Sequence, residues 1–284
     1  MDEDKKSVYI DGYYKQLLDD FKIAVTKHDT SIVLIIDGKS GKGKTTLSNQ
    51  TGHYLDPNFN LKNIYYDPQE FLKGLADSNP GDYISFDEAM IITSRSAMSQ
   101  VNIMIIQAMS MIRSKKIYVS FCVNAVFDLD RNLVLSRGDV LLHVYGEGLT
   151  DRGRFAAFFK AKGDQRDRLK ELYFFGKKLY DYKKPRANFI ARFTKNFVVD
   201  PIEYEKQKQT AINKFLRGAD KPLTKRQLRF DLMVFMCSKI LGISLPKLSN
   251  LIDVPTTTLY DSLNRAKVSQ KAQEILEYDF QNIK

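Results

Sequence analysis

The stretch that decides the fold runs from residue 31 to residue 54 and reads SIVLIIDGKSGKGKTTLSNQTGHY. Its first six residues are short, rich in β-branched side chains and apolar on both faces, which is typical of a buried parallel strand. A glycine-rich segment follows, and residues 45–54 then have the pattern of a helix. Strand, glycine-rich loop and helix is the order that builds a loop for binding phosphate groups.

The glycine-rich segment matches every fixed position of the Walker A pattern G-x-x-x-x-G-K-[ST]. Glycines allow positive φ and bring backbone N–H groups close to phosphate oxygens, toward which the following helix points its positive end. Lys44 is expected to reach the β- and γ-phosphates of ATP, and the Thr45 hydroxyl to ligate Mg²⁺. The residues predicted to bind the nucleotide are Gly38, Lys39, Ser40, Gly41, Lys42, Gly43, Lys44, Thr45 and Thr46.

Two acidic residues directly follow an apolar strand pattern at residues 82–86. Asp87 is predicted to hold Mg²⁺, directly or through water. Glu88 is predicted to orient or deprotonate the attacking water. A strand that simply ends in two acids is the alternative, and the upstream Walker A motif favours the functional interpretation.

Further catalytic groups are expected from their positions. Asn124 follows the apolar strand pattern of residues 117–123, where a polar group often senses the γ-phosphate; a plain loop residue is the alternative. In an oligomeric ATPase, an arginine can enter the neighbouring subunit's site and add positive charge in the transition state. Arg113 and Arg137 are the candidates for this role, with a solvated surface arginine as the alternative for each.

Lys39 has two interpretations. The ParA/MinD ATPases carry a lysine at this position, in the pattern K-G-G-x-G-K-T-T, and that lysine crosses a dimer interface. This chain reads KSGKGKTT from Lys39, so Ser40 departs from that pattern. The acid pair at residues 87–88 also points instead to ATPases with a catalytic glutamate beside the Walker B aspartate.

Strand and helix patterns alternate through the first 150 residues, which predicts an α/β sheet with mainly parallel strands. Strand patterns occur at 31–36, 63–66, 82–86, 117–123 and 140–145, and helical periodicity occurs at 12–27, 45–54, 68–76 and 99–113. From residue 151 the pattern changes. Residues 154–161 and 178–182 are predicted as two short strands, the residues between them are basic, and residues 188–199 are predicted to be irregular.

Charge is distributed unevenly along the 284 residues, whose net charge is +10. Residues 1–150 have a net charge of −3, residues 151–200 of +8, and residues 201–284 of +5. A basic region attracts polyanions, of which DNA is a common one, and a merely basic surface is the alternative.

Composition disfavours several other classes of protein. The sequence has no run of about 18 apolar residues, so no transmembrane helix is expected. The acidic, polar N-terminus does not resemble a signal peptide. A cytoplasmic location is therefore expected. Cys122 and Cys237 lie in apolar patterns and are expected to be reduced core thiols. The chain has three histidines and two cysteines, scattered, so a zinc site is not expected.

Residues 244–266 read SLPKLSNLIDVPTTTLYDSLNRA, the pattern of a helix-turn-helix. Asp253 would occupy the turn, where glycine is usual, because aspartate tolerates the left-handed conformation. The apolar residues that the two helices would bury are Leu245, Leu248, Leu251, Leu259 and Leu263. The second helix would expose side chains suited to phosphates and base edges in a major groove. These predicted DNA contacts are Thr257, Thr258, Tyr260, Asn264 and Arg265. A helical subdomain for oligomerisation is the alternative.

Residues 30–150 resemble the HerA/FtsK-type ATPases, including zonular-occludens-toxin-like proteins of phages and archaeal mobile elements. The residues that carry the resemblance are the Walker A loop, Asp87-Glu88-Ala89, the helix ending at Arg113, the strand 117–123, Phe127-Asp128-Leu129-Asp130, Arg137 and the strand 141–144. The resemblance implies hexameric rings that pull double-stranded DNA in packaging, conjugation or chromosome segregation.

The expected fold is therefore α/β. A RecA-like P-loop NTPase core with a mainly parallel sheet would occupy residues 1–200, including an N-terminal helix. A small all-α helix-turn-helix domain would occupy residues 201–284.

Three functions fit the sequence. The first is a Mg²⁺-dependent ATPase that acts on DNA in translocation, packaging or transfer of a mobile or viral element. It would work as a homo-oligomer, with the hexamer as the implied ring, on double-stranded rather than single-stranded DNA. The second is an ATP-controlled DNA-binding switch for partition or transcription, which Lys39 favours. The third, a small-molecule kinase, rests on Asp37-Gly38 and the loop, and a helix-turn-helix would be out of place in it.

Overall fold

A computed structural model of the chain describes residues 8–87, 100–148, 151–217 and 225–267. The chain forms two compact units that divide between Ile212 and Asn213. Among the residues described, no helix is long and apolar enough to cross a membrane.

Seven strands form one sheet in the described part of the first unit. They are β1 Ile32–Asp37, β2 Ile64–Tyr65, β3 Tyr83–Phe86, β4 Tyr118–Val123, β5 Val140–Tyr145, β6 Arg154–Phe159 and β7 Phe189–Arg192. Their order across the sheet is β2-β3-β4-β1-β5-β6-β7. The strands from β2 to β5 in this order pair in parallel, which confirms the predicted α/β fold with a mainly parallel sheet.

The last two strands extend the sheet in the antiparallel direction, β6 against β5 and β7 against β6. Two expectations for this region are wrong, those for residues 178–182 and 188–199. Residues 178–182 form no strand, because they lie in a turn in which Tyr180 has φ 53°. Part of the stretch expected to be irregular forms β7. The basic stretch, for which the sequence predicted no element, contains the helix Arg168–Gly176.

Helices cover both faces of the sheet. They are α1 Gly12–Lys27, α2 Lys44–Leu55, α3 Pro68–Asp77, α4 Gln100–Met111, α5 Arg168–Gly176 and α6 Pro201–Arg217. Because side chains alternate along a strand, Leu34 and Ile36 of β1 pack in one core with α1 and α2. Val33 and Ile35 pack in the opposite core with α3, α4 and α5. The sheet is thus a middle layer, and its strand ends are left free to carry a site.

The second unit is helical in its described part, with α7 Lys225–Phe235, α8 Leu245–Ile252 and α9 Thr256–Lys267. Its core consists of Val234, Phe235, Leu245, Leu248, Leu259 and Leu263. Asp253 ends α8 in the left-handed conformation, with φ 52°. Leu251 was expected in this core but is 67% exposed, because it lies on the outer face of α8.

Candidate functional site

The loop between β1 and α2 has the backbone that a phosphate-binding loop requires. Gly38, Gly41 and Gly43 have φ values of 141°, 76° and 100°, which residues other than glycine rarely adopt. A Cβ atom at Gly38 would lie 2.1 Å from the carbonyl oxygen of Val144, so a larger residue has no room there. Gly43 caps α2 without any side chain, which leaves the first N–H groups of the helix available to an anion.

Lys44 lies at the mouth of this loop. Its ammonium donates hydrogen bonds to the carbonyl oxygen of Gly38 at 2.8 Å and to Asn124 Oδ1 at 3.1 Å. A longer bond of 3.4 Å reaches the carbonyl oxygen of Lys39. The structure therefore brings Asn124, at the end of β4, to the lysine of the Walker A motif.

The other predicted loop residues differ in exposure. Lys39 and Ser40 are exposed, and Thr46 is half-buried. Lys42 is buried, and its ammonium donates to the carbonyl oxygens of Gly148 and, at 3.1 Å, Asp151. Lys42 therefore fixes the loop to the chain that follows β5, a structural task that the motif alone did not indicate.

Thr45 and Asp87 meet at the carboxyl ends of the parallel strands, although β4 separates β1 from β3 in the sheet. The Thr45 hydroxyl lies 3.1 Å from Asp87 Oδ2 and 3.3 Å from Oδ1. Adjacent ligands of an octahedral Mg²⁺, at bond lengths of about 2.1 Å, lie about 3.0 Å apart. Mg²⁺ commonly uses one or two carboxylates together with substrate phosphates. The two side chains thus fit a Mg²⁺–nucleotide site.

The remaining catalytic candidates have different positions. Glu88 lies outside the described residues. Arg137 ends a short π-helical turn, Leu133–Arg137, and is exposed. Arg113 is exposed in the turn that follows α4.

Sequence reasoning missed two side chains of α6 that reach this site. The Tyr204 hydroxyl donates to Asp87 Oδ2 at 2.6 Å and lies 3.5 Å from the Thr45 hydroxyl. Lys208 Nζ lies 4.0 Å from the same Asp87 oxygen. Burial, and then the Asp87 charge, raise the pKa of the Tyr204 phenol well above its usual range, so the phenol remains a neutral donor. The sequence assigned Tyr204 to the predicted all-α domain of residues 201–284, and nothing connected it to Asp87.

A second missed cluster lies on the other side of β4 and surrounds Asp37, the residue before the loop. Asp37 accepts hydrogen bonds from the Val126 N–H at 2.8 Å and from the Tyr182 hydroxyl, and its other oxygen lies 2.8 Å from His143 Nδ1. The rings of His143 and Tyr182 stack with centroids 3.6 Å apart. Burial, and then the Asp37 charge, raise the pKa of the Tyr182 phenol above its usual range.

Buried hydroxyl groups connect α2 to the two neighbouring strands. Ser48 Oγ lies 3.1 Å from each of Tyr83 OH, Ser85 Oγ and Ser120 Oγ. Since Ser85 precedes Asp87 by two residues on β3 and its end, the cluster helps fix the distance between the loop helix and the acidic strand.

In the second unit, α9 carries the predicted DNA contacts. The side chains of Thr257, Thr258, Tyr260 and Asn264 are exposed, whereas Leu259 and Leu263 are buried against α7 and α8. Arg265 belongs to the same helix.

Neither a protein-family model nor a curated protein matches the chain. Among solved structures, the N-terminal domain of zonular occludens toxin from Neisseria meningitidis is 17% identical, with a TM-score of 0.36, and the match covers 62% of this chain and 98% of that one. AMPPCP-bound DnaA from Aquifex aeolicus is 11% identical, with a TM-score of 0.34 and coverage of 97% and 96%. The Thermotoga maritima RuvB branch migration motor is 16% identical, with a TM-score of 0.34 and coverage of 93% of both chains.

Proposed function

We propose that the chain is a Mg²⁺-dependent ATPase that acts on DNA. One observation carries the ATPase part: the adjacent Lys44 and Thr45 meet Asn124 and Asp87, from two other places in the sequence, at the carboxyl ends of the parallel strands. A strand that merely ended in acids would give Asp87 no reason to face the Walker A threonine. The glycine loop supplies the phosphate-binding backbone beside them.

Each residue has a distinct role in this proposal. Lys44 and the loop N–H groups bind the β- and γ-phosphates. Thr45 and Asp87 hold Mg²⁺, which neutralises charge that develops on the phosphates. Glu88 accepts a proton from the attacking water. Asn124, already within hydrogen-bond distance of Lys44, senses the γ-phosphate.

DNA is the proposed substrate because positive charge is concentrated after residue 150 and polyanions bind such surfaces. The pair α8–α9 is the proposed helix-turn-helix, with Thr257, Thr258, Tyr260 and Asn264 on its exposed face and Arg265 on the same helix. A homo-oligomeric ring of the HerA/FtsK type, acting on double-stranded DNA, is the form that we propose, with Arg137 or Arg113 completing a neighbour's site.

The second candidate is an ATP-controlled DNA-binding switch. The exposure of Lys39 favours it, because a lysine that crosses a dimer interface has to lie on the open side of the loop. This candidate requires dimers and slow hydrolysis that DNA does not accelerate.

The test is steady-state ATP hydrolysis with no DNA, with single-stranded DNA and with long double-stranded DNA. Lys44→Ala and Glu88→Gln are the controls, because each removes one catalytic function. The ATPase proposal expects duplex DNA to raise the rate many-fold and both variants to abolish it. Slow hydrolysis that is indifferent to DNA would favour the switch, and no Lys44-dependent ATP binding at all would refute both.

A further inference from the structure

The chain segment that precedes α6 places this helix against Thr45 and Asp87, the two proposed metal ligands, which we call the metal side of the site. Gln50 of α2 donates from Nε2 to the carbonyl oxygens of Thr194 at 2.9 Å and Asn196 at 2.8 Å. Asp200 then caps α6, accepting from the N–H groups of Ile202 and Glu203. These hydrogen bonds place the start of α6 next to the helix that carries the phosphate loop.

Tyr204 and Lys208 lie one turn apart on α6, so they share a face. Both engage Asp87 Oδ2, at 2.6 Å for the Tyr204 hydroxyl and 4.0 Å for the Lys208 ammonium. The Tyr204 ring packs against Phe197, with centroids 5.1 Å apart, and against Tyr66, at 6.1 Å. The contact is therefore a buried, supported arrangement and not the chance approach of a surface side chain.

The contacts of Tyr204 and Lys208 occupy the Asp87 carboxylate, which is the proposed Mg²⁺ ligand. A Mg²⁺ ion requires oxygen ligands at about 2.1 Å in near-octahedral geometry, and it keeps several waters. The Tyr204 hydroxyl lies 2.6 Å from Asp87 and 3.5 Å from Thr45, where a metal ligand or its water would lie. Lys208 adds a positive charge beside the same carboxylate, which disfavours a second cation.

We propose that Tyr204 and Lys208 form a latch that competes with Mg²⁺ for Asp87, so that binding of the Mg²⁺–nucleotide releases the start of α6. This inference rests on the proposed nucleotide site and adds its regulation. The latch opposes only the metal-dependent part of binding, because Tyr204 and Lys208 contact the proposed metal ligands, Asp87 and Thr45. The phosphates would instead contact Lys44 and the N–H groups of the loop.

The alternative role for Tyr204 is to position Asp87 for the metal. A donor that holds a metal-binding carboxylate in place strengthens metal binding, and its loss weakens it. The two roles therefore predict opposite signs for the same substitution.

The experiment measures the affinity of the fluorescent, non-hydrolysable analogue mant-AMPPNP, with saturating Mg²⁺ and with EDTA. Tyr204→Phe keeps the ring and removes the hydroxyl, which loses a hydrogen bond to a charged group. We expect it to bind the Mg²⁺ complex about tenfold more tightly than the unchanged protein does. Lys208→Gln is expected to give about a threefold gain. Neither variant should change the affinity measured in EDTA.

Tyr54→Phe is the matched control, because it removes a tyrosine–carboxylate hydrogen bond to Asp19 on α1 and should leave both affinities unchanged. Weaker binding or unchanged binding in Tyr204→Phe and Lys208→Gln would overturn the latch. The proposed site itself fails in a different way, since the unchanged protein would then bind no nucleotide in either condition.

A second measurement does not depend on variants. Hydrogen–deuterium exchange of residues 201–212 should become faster when Mg²⁺–AMPPNP is added, because the released turn loses the Tyr204 contact. AMPPNP with EDTA should leave the exchange unchanged. Slower exchange, or no change, with the Mg²⁺ complex would contradict the release of α6.

Discussion

Two buried carboxylates lie on either side of β4, and each accepts a hydrogen bond from a tyrosine far away in the sequence. Asp37 ends β1 and binds Tyr182, whereas Asp87 follows β3 and binds Tyr204. The other partners of the two acids differ. Asp37 is held by a backbone N–H and by His143 of the neighbouring strand. Asp87 is held by Thr45 and by side chains of α6.

The difference separates a structural carboxylate from an exchangeable one. The N–H of Val126 and the ring of His143 belong to the sheet and its adjoining turn, so they cannot leave Asp37 without disrupting the fold. The partners of Asp87 include a hydroxyl and an ammonium on a helix outside the sheet. An aspartate–tyrosine pair thus has two different roles. Asp37 and Tyr182 stabilise the start of the loop, whereas the bond between Asp87 and Tyr204 can be displaced by Mg²⁺.

The largest expected effect is on the structural side. Asp37→Ala leaves the Val126 N–H, the Tyr182 hydroxyl and His143 without their acceptor, so we expect a loss of about 3–5 kcal/mol in the free energy of unfolding. Asp87→Ala should cost less, about 2–3 kcal/mol, since Tyr204 and Thr45 lose an acceptor but Lys208 can reach water. Urea denaturation followed by circular dichroism measures both. Equal losses would show that the two acids are equally structural.

Tyr182→Phe and Tyr204→Phe test the comparison in a second way. Each removes a hydrogen bond to a charged group, so each should lower the free energy of unfolding by about 1.5–3 kcal/mol. With saturating Mg²⁺–AMPPNP, the deficit of Tyr182→Phe should persist. The deficit of Tyr204→Phe should shrink, because a ligand that releases the latch no longer competes with it in this variant. Deficits that respond alike to the ligand would remove the distinction between the two sides.

The sequence was sufficient for the strands and loop that build the site's framework. Strands β1 and β4 are buried on both faces and β5 largely so, and their mainly apolar runs are therefore visible without any structure. Strand β7 escaped notice because it is short and Ile190, at its centre, is 62% exposed. Residues 178–182 have the side-chain pattern of a strand, but Tyr180 adopts a positive φ. The pattern of side chains along the sequence does not reveal such a backbone angle.

The partners of the two carboxylates could not be predicted, for a physical reason. Tyr204 lies 117 residues from Asp87, and Tyr182 lies 145 residues from Asp37. Local periodicity reports which face of a helix is buried, but it does not report which distant group that face meets. The Walker motifs identified Lys44, Thr45 and Asp87 because their chemistry fixes their spacing to the loop, and no such rule applies to a helix after the sheet.

A smaller effect is expected at Ser48, which tests how firmly α2 is tied to the acidic strand. Ser48→Ala removes the hydroxyl that three others share, so we expect a loss of about 1–2 kcal/mol in the free energy of unfolding. Ser110→Ala is the matched control, because Ser110 is exposed and donates within its own helix, to the Ile106 carbonyl. A loss as small as that of the control would mean that the remaining hydroxyls satisfy one another.

The smallest effect is expected at Asn49, next to Ser48 on α2 and one helical turn after Thr45. Its side chain is buried, and neither amide atom has a hydrogen-bond partner among the residues that the structure describes. An unpaired buried amide lowers stability, whereas an apolar side chain of similar volume does not. Asn49→Leu should therefore raise the free energy of unfolding by about 0.5–1 kcal/mol, measured by the same denaturation. Asn49 follows Thr45 by four residues, so the two share a face of α2. A destabilised variant with weaker Mg²⁺–AMPPNP binding would therefore place the Asn49 amide among the polar groups that the site uses, and the site would extend one turn further along α2 than Thr45.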